Sequence, residues 1–106
     1  MRFGLDEVLI AQFCTVFEQY SSIDQVIIYG SRAKGSYRKG SDIDLTLLGP
    51  EITFETLSTV IIALDVLNTP YLVDVSLFSE LHSPHLEEHI LRVGQVFYQK
   101  DTSSRA

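Results

Sequence analysis

The residues best equipped for chemistry fall in one stretch, from Gly30 through Asp44: Gly-Ser-Arg-Ala-Lys-Gly-Ser-Tyr-Arg-Lys-Gly-Ser-Asp-Ile-Asp. A Gly-Ser pair opens it, directly after the apolar run Val26-Ile27-Ile28-Tyr29. Ten residues separate Ser31 from Asp42, and Asp44 then leads into a second apolar run, Leu45 to Leu48. Glycine lets a backbone approach a ligand closely. The N-terminus of a helix that follows it points free N–H groups at an anion, and the Ser31 hydroxyl adds one more hydrogen bond. The pattern reads as a phosphate-binding turn. It is neither a P-loop nor a dinucleotide fingerprint, because neither glycine spacing is present.

Asp42 and Asp44 sit two apart on an expected strand, so both project to one side and Ile43 and Leu45 to the other. Carboxylates that close repel unless a cation lies between them. Mg²⁺ suits the gap, since it takes oxygen ligands and typically binds one or two carboxylates plus substrate phosphates. Asp74 lies mid-run in Tyr71-Leu72-Val73-Asp74-Val75-Ser76-Leu77-Phe78, where an isolated charge is costly to bury. If that strand neighbours the one carrying Asp42 and Asp44, three carboxylates share a site. Two metals held this way stabilise both the attacking and the leaving oxygens of a phosphoryl or nucleotidyl transfer.

Elements must position these groups. Leu5, Leu9, Phe13, Val16, Phe17 and Tyr20 recur at spacings of three and four, which predicts a helix from Leu5 to Tyr20. Cys14 borders that face as a small buried hydrophobe. Val26 to Tyr29 reads as a strand covered on both sides. Ser31 is placed as an N-cap, with Arg32-Ala33-Lys34 forming a short helix that Gly35 stops. Asp42 to Leu48 is the next strand, ended by Gly49-Pro50. Thr53 caps a helix reaching Leu67, with Phe54, Leu57, Ile61 and Leu64 inward and Val60, Ile62 and Val66 widening that face, so this helix should be well buried. Tyr71 to Phe78 is a third strand. Ser83-Pro84 starts a helix that Gly94 closes, and Val96-Phe97-Tyr98 adds an edge strand. The alternation predicts an α/β (α+β) fold: a mixed sheet of three to four strands packed with about four helices. The expected domain is 1–99, with 100–106 a frayed polar tail.

Bulk properties narrow the class. The 106 residues support one small core, and 45% apolar with 21% charged residues is an ordinary globular balance. The single cysteine allows no intrachain disulfide and points to a reducing cytoplasm. No membrane-length run and no signal peptide are expected. A net charge of −6 argues against a general nucleic-acid binder. Yet four of the eight basic residues, Arg32, Lys34, Arg38 and Lys39, fall between Gly30 and Gly40, an island suited to a compact anionic ligand.

Gly-Ser, ten residues, Asp-x-Asp and a later strand Asp together resemble the nucleotidyltransferase fold of the DNA polymerase β superfamily. The short length and the ending His89-Ile90-Leu91-Arg92-Val93-Gly94-Gln95-Val96-Phe97-Tyr98 are similar to the minimal nucleotidyltransferases, the MntA-like antitoxins. The resemblance implies ATP as substrate and Mg²⁺ as cofactor, two ions when nucleotide is bound. It implies that Asp42, Asp44 and Asp74 are catalytic and hold the metal, with Asp74 also helping to deprotonate the acceptor hydroxyl. Gly30 and Ser31 would hold the triphosphate tail, with Arg32, Lys34 and Ser41 completing the nucleotide-binding set. The implied partner is a HEPN-domain toxin whose tyrosine hydroxyl receives AMP. The protein is then the antitoxin of the pair, as a hetero-oligomer with the toxin or a homo-oligomer.

Plainer readings stand beside these. Asp-x-Asp alone is usually an exposed strand edge, and Asp74 alone fits a strand residue paired to Arg32 or Arg92. Arg38 and Lys39 fit a solvated loop, and Tyr37 a surface tyrosine. His85 and His89, at i and i+4, have a zinc-compatible spacing without a third ligand, His82 being the remaining histidine. Two other functions compete: an antitoxin that masks its toxin without catalysis, and an aminoglycoside-like small-molecule nucleotidyltransferase. The latter is disfavoured because no residues are left for an acceptor domain.

Overall fold

The computed structural model describes residues 1–101. Asp6 caps the first helix, α1 (Glu7–Glu18), its carboxylate accepting from the Val8 N–H. The helix therefore starts two residues later than its apolar spacing suggests, and Leu5 belongs instead to a tight turn bridged to Arg2. Then follow β1 (Gln25–Tyr29), the single-turn helix α2 (Ser31–Lys34), β2 (Ile43–Leu48), α3 (Phe54–Val66), β3 (Val73–Leu77), α4 (Pro84–Val93) and β4 (Gln95–Gln99). Thr53 and Ser83 cap α3 and α4 as expected from their sequence context.

The four strands form one mixed sheet in the order β3-β2-β1-β4. β1 runs antiparallel to β2 and to β4, whereas β3 runs parallel to β2, as the α3 crossover requires. One face carries Val26, Ile28, Ile43, Leu45 and Leu47, all essentially inaccessible, against Ile10, Phe13 and Phe17 of α1 and Val60 and Leu64 of α3. Phe97 of β4 closes this core with its ring about 6 Å from those of Phe3, Phe13 and Phe17. Each such side chain contributes roughly 1.5–3 kcal/mol of transfer free energy. Cys14 packs half-buried at the margin, its thiol directed at the Phe97 carbonyl.

The opposite face carries the polar residues Asp44, Thr46, Asp74 and Ser76, and α4 lies against its β1 side. The Tyr29 ring meets His89 edge-on, and Gly94 abuts Ile27. On the β2–β3 side of this face Thr46 is fully buried, Asp44 and Ser76 are half-buried, and Asp74 is exposed.

One expectation is corrected here. α3 is not well buried: Phe54, Ile61, Ile62 and Val66 are exposed, the last three-quarters so. A helix on a four-stranded sheet has one neighbour layer, and only the stripe through Leu57, Val60 and Leu64 reaches it. The expected tail also begins later, since Lys100 is tied to the Asp24 and Ser21 carbonyls through its N–H and its ammonium. The rest of that tail, 102–106, lies outside the described residues. Among the described residues, no helix is long and apolar enough to cross a membrane.

Candidate active site

The site begins at Gly30. Its φ of 74° and ψ of −155° lie in a region open essentially to glycine alone. A Cβ placed there would stand 2.5 Å from Asp44 Oδ2. Glycine thus lets the turn fold down onto the first residues of β2. Gly30 itself, not Ser31, occupies the cap position of α2, which corrects the sequence assignment: Ser31 is already helical. The turn closes by Lys34 N–H donating to Gly30 O at 3.1 Å and Ser36 N–H to Ser31 O, with Gly35 left-handed at the end. The first N–H groups of α2 have no helical acceptor, and among the described residues the Ser31 hydroxyl is bound to no other group. Both remain available to an anion. Lys34 is exposed beside them.

Arg32 behaves differently from a phosphate contact. It is 3% exposed. Its Nε and Nη2 both donate to the Ser41 carbonyl, at 3.1 and 2.8 Å, and Nη1 donates to the Phe3 carbonyl at 2.8 Å. The guanidinium lies 4.8 Å from the Tyr71 ring centroid and 5.3 Å from that of Tyr37. A planar fork sandwiched between rings is what arginine supplies and lysine does not. Arg32 fastens the 35–41 loop to the N-terminal turn. Ser41 is the other end of that fastening, and its hydroxyl accepts from the Arg38 N–H at 2.8 Å. Tyr37 is half-spent on the same clamp, while Arg38 and Lys39 are solvated.

The clamp delivers the chain to β2 at Asp42. Asp42 precedes the strand and is exposed; Asp44 is half-buried within it. Across the sheet Tyr29, Asp44 and Asp74 stand in one row, directly opposite one another on β1, β2 and β3. Asp44 and Asp74 therefore share one face and one end of the sheet, and Asp42, just before β2, is close enough for its charge to act on Asp44. Burial raises the Asp44 pKa above the ordinary carboxylate value, and the charges of Asp74 and then Asp42 raise it further, against a smaller opposing pull from His89. Asp74 is exposed and forms no ion pair with Arg32 or Arg92: Arg32 is committed to carbonyls, and Arg92 to Glu88 at 2.9 Å.

The carboxylates perturb one another without being closed into a cage. Among the described residues no group of three His, Cys, Asp or Glu side chains stands ready to hold a metal ion. An oxygen-only cluster whose members repel across the Gly30 cradle nevertheless fits a hard divalent cation. Mg²⁺ in particular takes only one or two carboxylates and fills its other positions with water and phosphate oxygens.

Three participants escaped sequence reasoning. Tyr29 is buried at the end of the carboxylate row. Burial pushes its phenol pKa up, Ser76 opposes this, and Asp74 and Asp44 add to it, so the hydroxyl stays protonated. His89 packs on Tyr29, and its charge pulls the Asp44 pKa down slightly. Gln95 donates from Nε2 to the Ala33 carbonyl at 2.7 Å, anchoring α2 to β4. The only prior signal was the i, i+4 histidine pair, which pointed to a metal. His85 is exposed, and His82 sits on a left-handed backbone facing Glu80.

A glycine turn is thus fastened beside strand carboxylates at one end of a mixed sheet. The family model for polymerase beta nucleotidyltransferases matches residues 12–103, and the chain belongs to that family of enzymes. Several solved structures share the fold. A proposed minimal nucleotidyltransferase superposes with a TM-score of 0.65 at 28% identity, covering 90% of this chain and 95% of the other. A toxin–antitoxin structure with AMP-PNP gives 0.62 at 19% identity, covering 93% and 77%. A tri-AMPylated HEPN toxin from Shewanella oneidensis in complex with its MNT antitoxin gives 0.59 at 15%, covering 91% and 74%. At the last two identities the likeness is one of fold. No curated protein is similar enough in sequence to count as a relative.

Proposed function

We propose that this chain transfers AMP from ATP to a tyrosine hydroxyl of a HEPN-domain partner, and so acts in the cytoplasm as the antitoxin of a toxin–antitoxin pair. The observation that carries this is the pair Asp44 and Asp74, level on adjacent strands with Asp42 just ahead of them, beside the Gly30-Ser31 turn. Support for the partner comes from structures of the same fold whose toxin is AMPylated or which hold AMP-PNP.

In this reading the backbone of the Gly30 turn, the Ser31 hydroxyl and Lys34 bind the β- and γ-phosphates. Arg32 and Ser41 act at one remove, holding the loop that sets Asp42 relative to the turn. Asp42, Asp44 and Asp74 would hold Mg²⁺, which when bound supplies charge neutralisation at the α-phosphate and at the two oxygens exchanged there. Asp74, exposed on the outer strand, receives the proton of the acceptor hydroxyl. The acceptor oxygen bonds to the α-phosphorus, the bond from that phosphorus to the bridging oxygen breaks, and pyrophosphate leaves. Tyr29 flanks Asp44 directly across the β1–β2 pair.

Incubation with α-labelled ATP, Mg²⁺ and the partner tests this. Label is expected on the partner with wild type and is expected to vanish with Asp42→Asn plus Asp44→Asn. Equal labelling by that double variant would overturn the mechanism. The exposed apolar face of α3 favours one second reading, in which neutralisation is by masking. The same double variant would then still rescue cells from the toxin.

A further inference from the structure

β3 is an edge strand of the sheet. Ile43 N–H donates to the Leu72 carbonyl at 2.9 Å, and in a parallel ladder this register turns the polar groups of residues 72, 74 and 76 toward β2. The N–H and C=O groups of Val73, Val75 and Leu77 therefore face outward. An unpaired, apolar edge is a template for another strand.

Beside that edge, on the α3 side of the sheet, runs a groove of about 280 Å³ walled by Ile61, Ile62, Asp65, Leu72, Val73 and Val75. Leu72 is 75% exposed and Ile62 64%. On the other side of the same strand stands Asp74. Strand side chains alternate between faces, so a segment paired to β3 sends every second residue into the groove and the others along the carboxylate face. The new strand lies about 4.8 Å from β3, and a residue opposite Asp74 on its face approaches within about 5.5 Å, Cβ to Cβ. A hydroxyl there reaches the carboxylate.

Charge says what kind of segment fits. From Gly40 to Leu91 the chain has nine Asp and Glu and no Lys or Arg. α3 and β3, which wall the groove, come from this span; Asp65 lies in the lining and Asp74 on the other face of β3. We infer that the acceptor is presented as an extended, basic-flanked segment of the partner protein, added to β3 as a fifth strand. Its apolar residues alternate into the α3 groove, and its hydroxyl residue lies level with Asp74. This rests on the AMP-transfer reading above and supplies the acceptor site that reading needs.

The test uses the full chain with the HEPN-domain protein as probe and reads two quantities. The first is amide exchange at Val73, Val75 and Leu77, expected to slow at least tenfold in the complex. The second is label transfer by Ile61→Asp plus Ile62→Asp, exposed α3 positions that line the groove. A tenfold or greater loss is expected, with an unchanged thermal shift by Mg·ATP. Label transfer with unprotected β3 amides, or undiminished transfer by the variant, overturns the docking mode and leaves the transfer reading standing. Absence of label and complex with wild type overturns both. Protection of the same amides without partner, rising with protein concentration, assigns the edge to a second copy and also overturns the inference.

Discussion

At Gly30 the requirement for glycine is double. The backbone is left-handed and extended, and any Cβ would strike Asp44 Oδ2. Gly30→Ala is therefore expected to cost about 1–3 kcal/mol of strain and to shift Asp44, so activity should fall further than stability, as seen by parallel calorimetry and label transfer. Asp44 has the opposite character. Its pKa is raised by burial and by Asp74 and Asp42, so the folded protein holds the proton more tightly than the unfolded chain. Its contribution favours folding at low pH and turns unfavourable as pH rises through the carboxylate range. Asp44→Asn should then abolish transfer yet stabilise the metal-free protein at neutral pH. The gain is under about 1 kcal/mol, because the site is partly solvated, and it should shrink to nothing toward pH 3. Melting curves of both proteins across that range, in chelator, check the sign.

Among the elements, α2 and its loop depend on one side chain. Arg32→Ala removes three charge-assisted hydrogen bonds and two ring contacts and leaves the Ser41 and Phe3 carbonyls without that donor. A loss of about 2–4 kcal/mol is expected. Arg32→Lys should recover only part of it, since an ammonium cannot serve both carbonyls and both rings. Urea titration separates the two variants. Legibility also divides along this line. The placement of Gly30 at a turn after a strand and of Asp44 and Asp74 on neighbouring strands was readable because it is tied to local periodicity: a break after a strand, then carboxylates in alternation along apolar runs. The strands and α4 were readable for the same reason. Arg32 was not, because a cation next to a phosphate turn and one folded under its own loop look identical in sequence; only Phe3 and Tyr71, far along the chain, tell them apart. The exposure of α3 was hidden likewise, since an apolar helix records neither how many layers cover it nor on which side. Tyr29 and His89 meet only through the packing of α4 on β1.

For the whole molecule, the acidic end of the sheet is a standing electrostatic cost that a ligand should remove. The carboxylates form no closed cage, so Mg²⁺ alone has few fixed ligands to gain, and ATP alone brings further negative charge to Asp42, Asp44 and Asp74. Together they complete each other: phosphate oxygens supply the missing ligands, and the cation screens both sets of charge. Ligand that binds only the folded state stabilises by about 2.7 kcal/mol at a hundredfold excess over its dissociation constant. For a domain of this size each kcal/mol is roughly 4–8 °C. Mg²⁺ with a non-hydrolysable ATP analogue is thus expected to raise the melting temperature by at least about 10 °C, and either component alone by about 2 °C or less. In Asp42→Asn plus Asp44→Asn the synergy should disappear. A large shift with Mg²⁺ alone would mean that the carboxylates already form a complete metal site, and an equal shift with nucleotide alone would mean that the Gly30 turn binds phosphate without them.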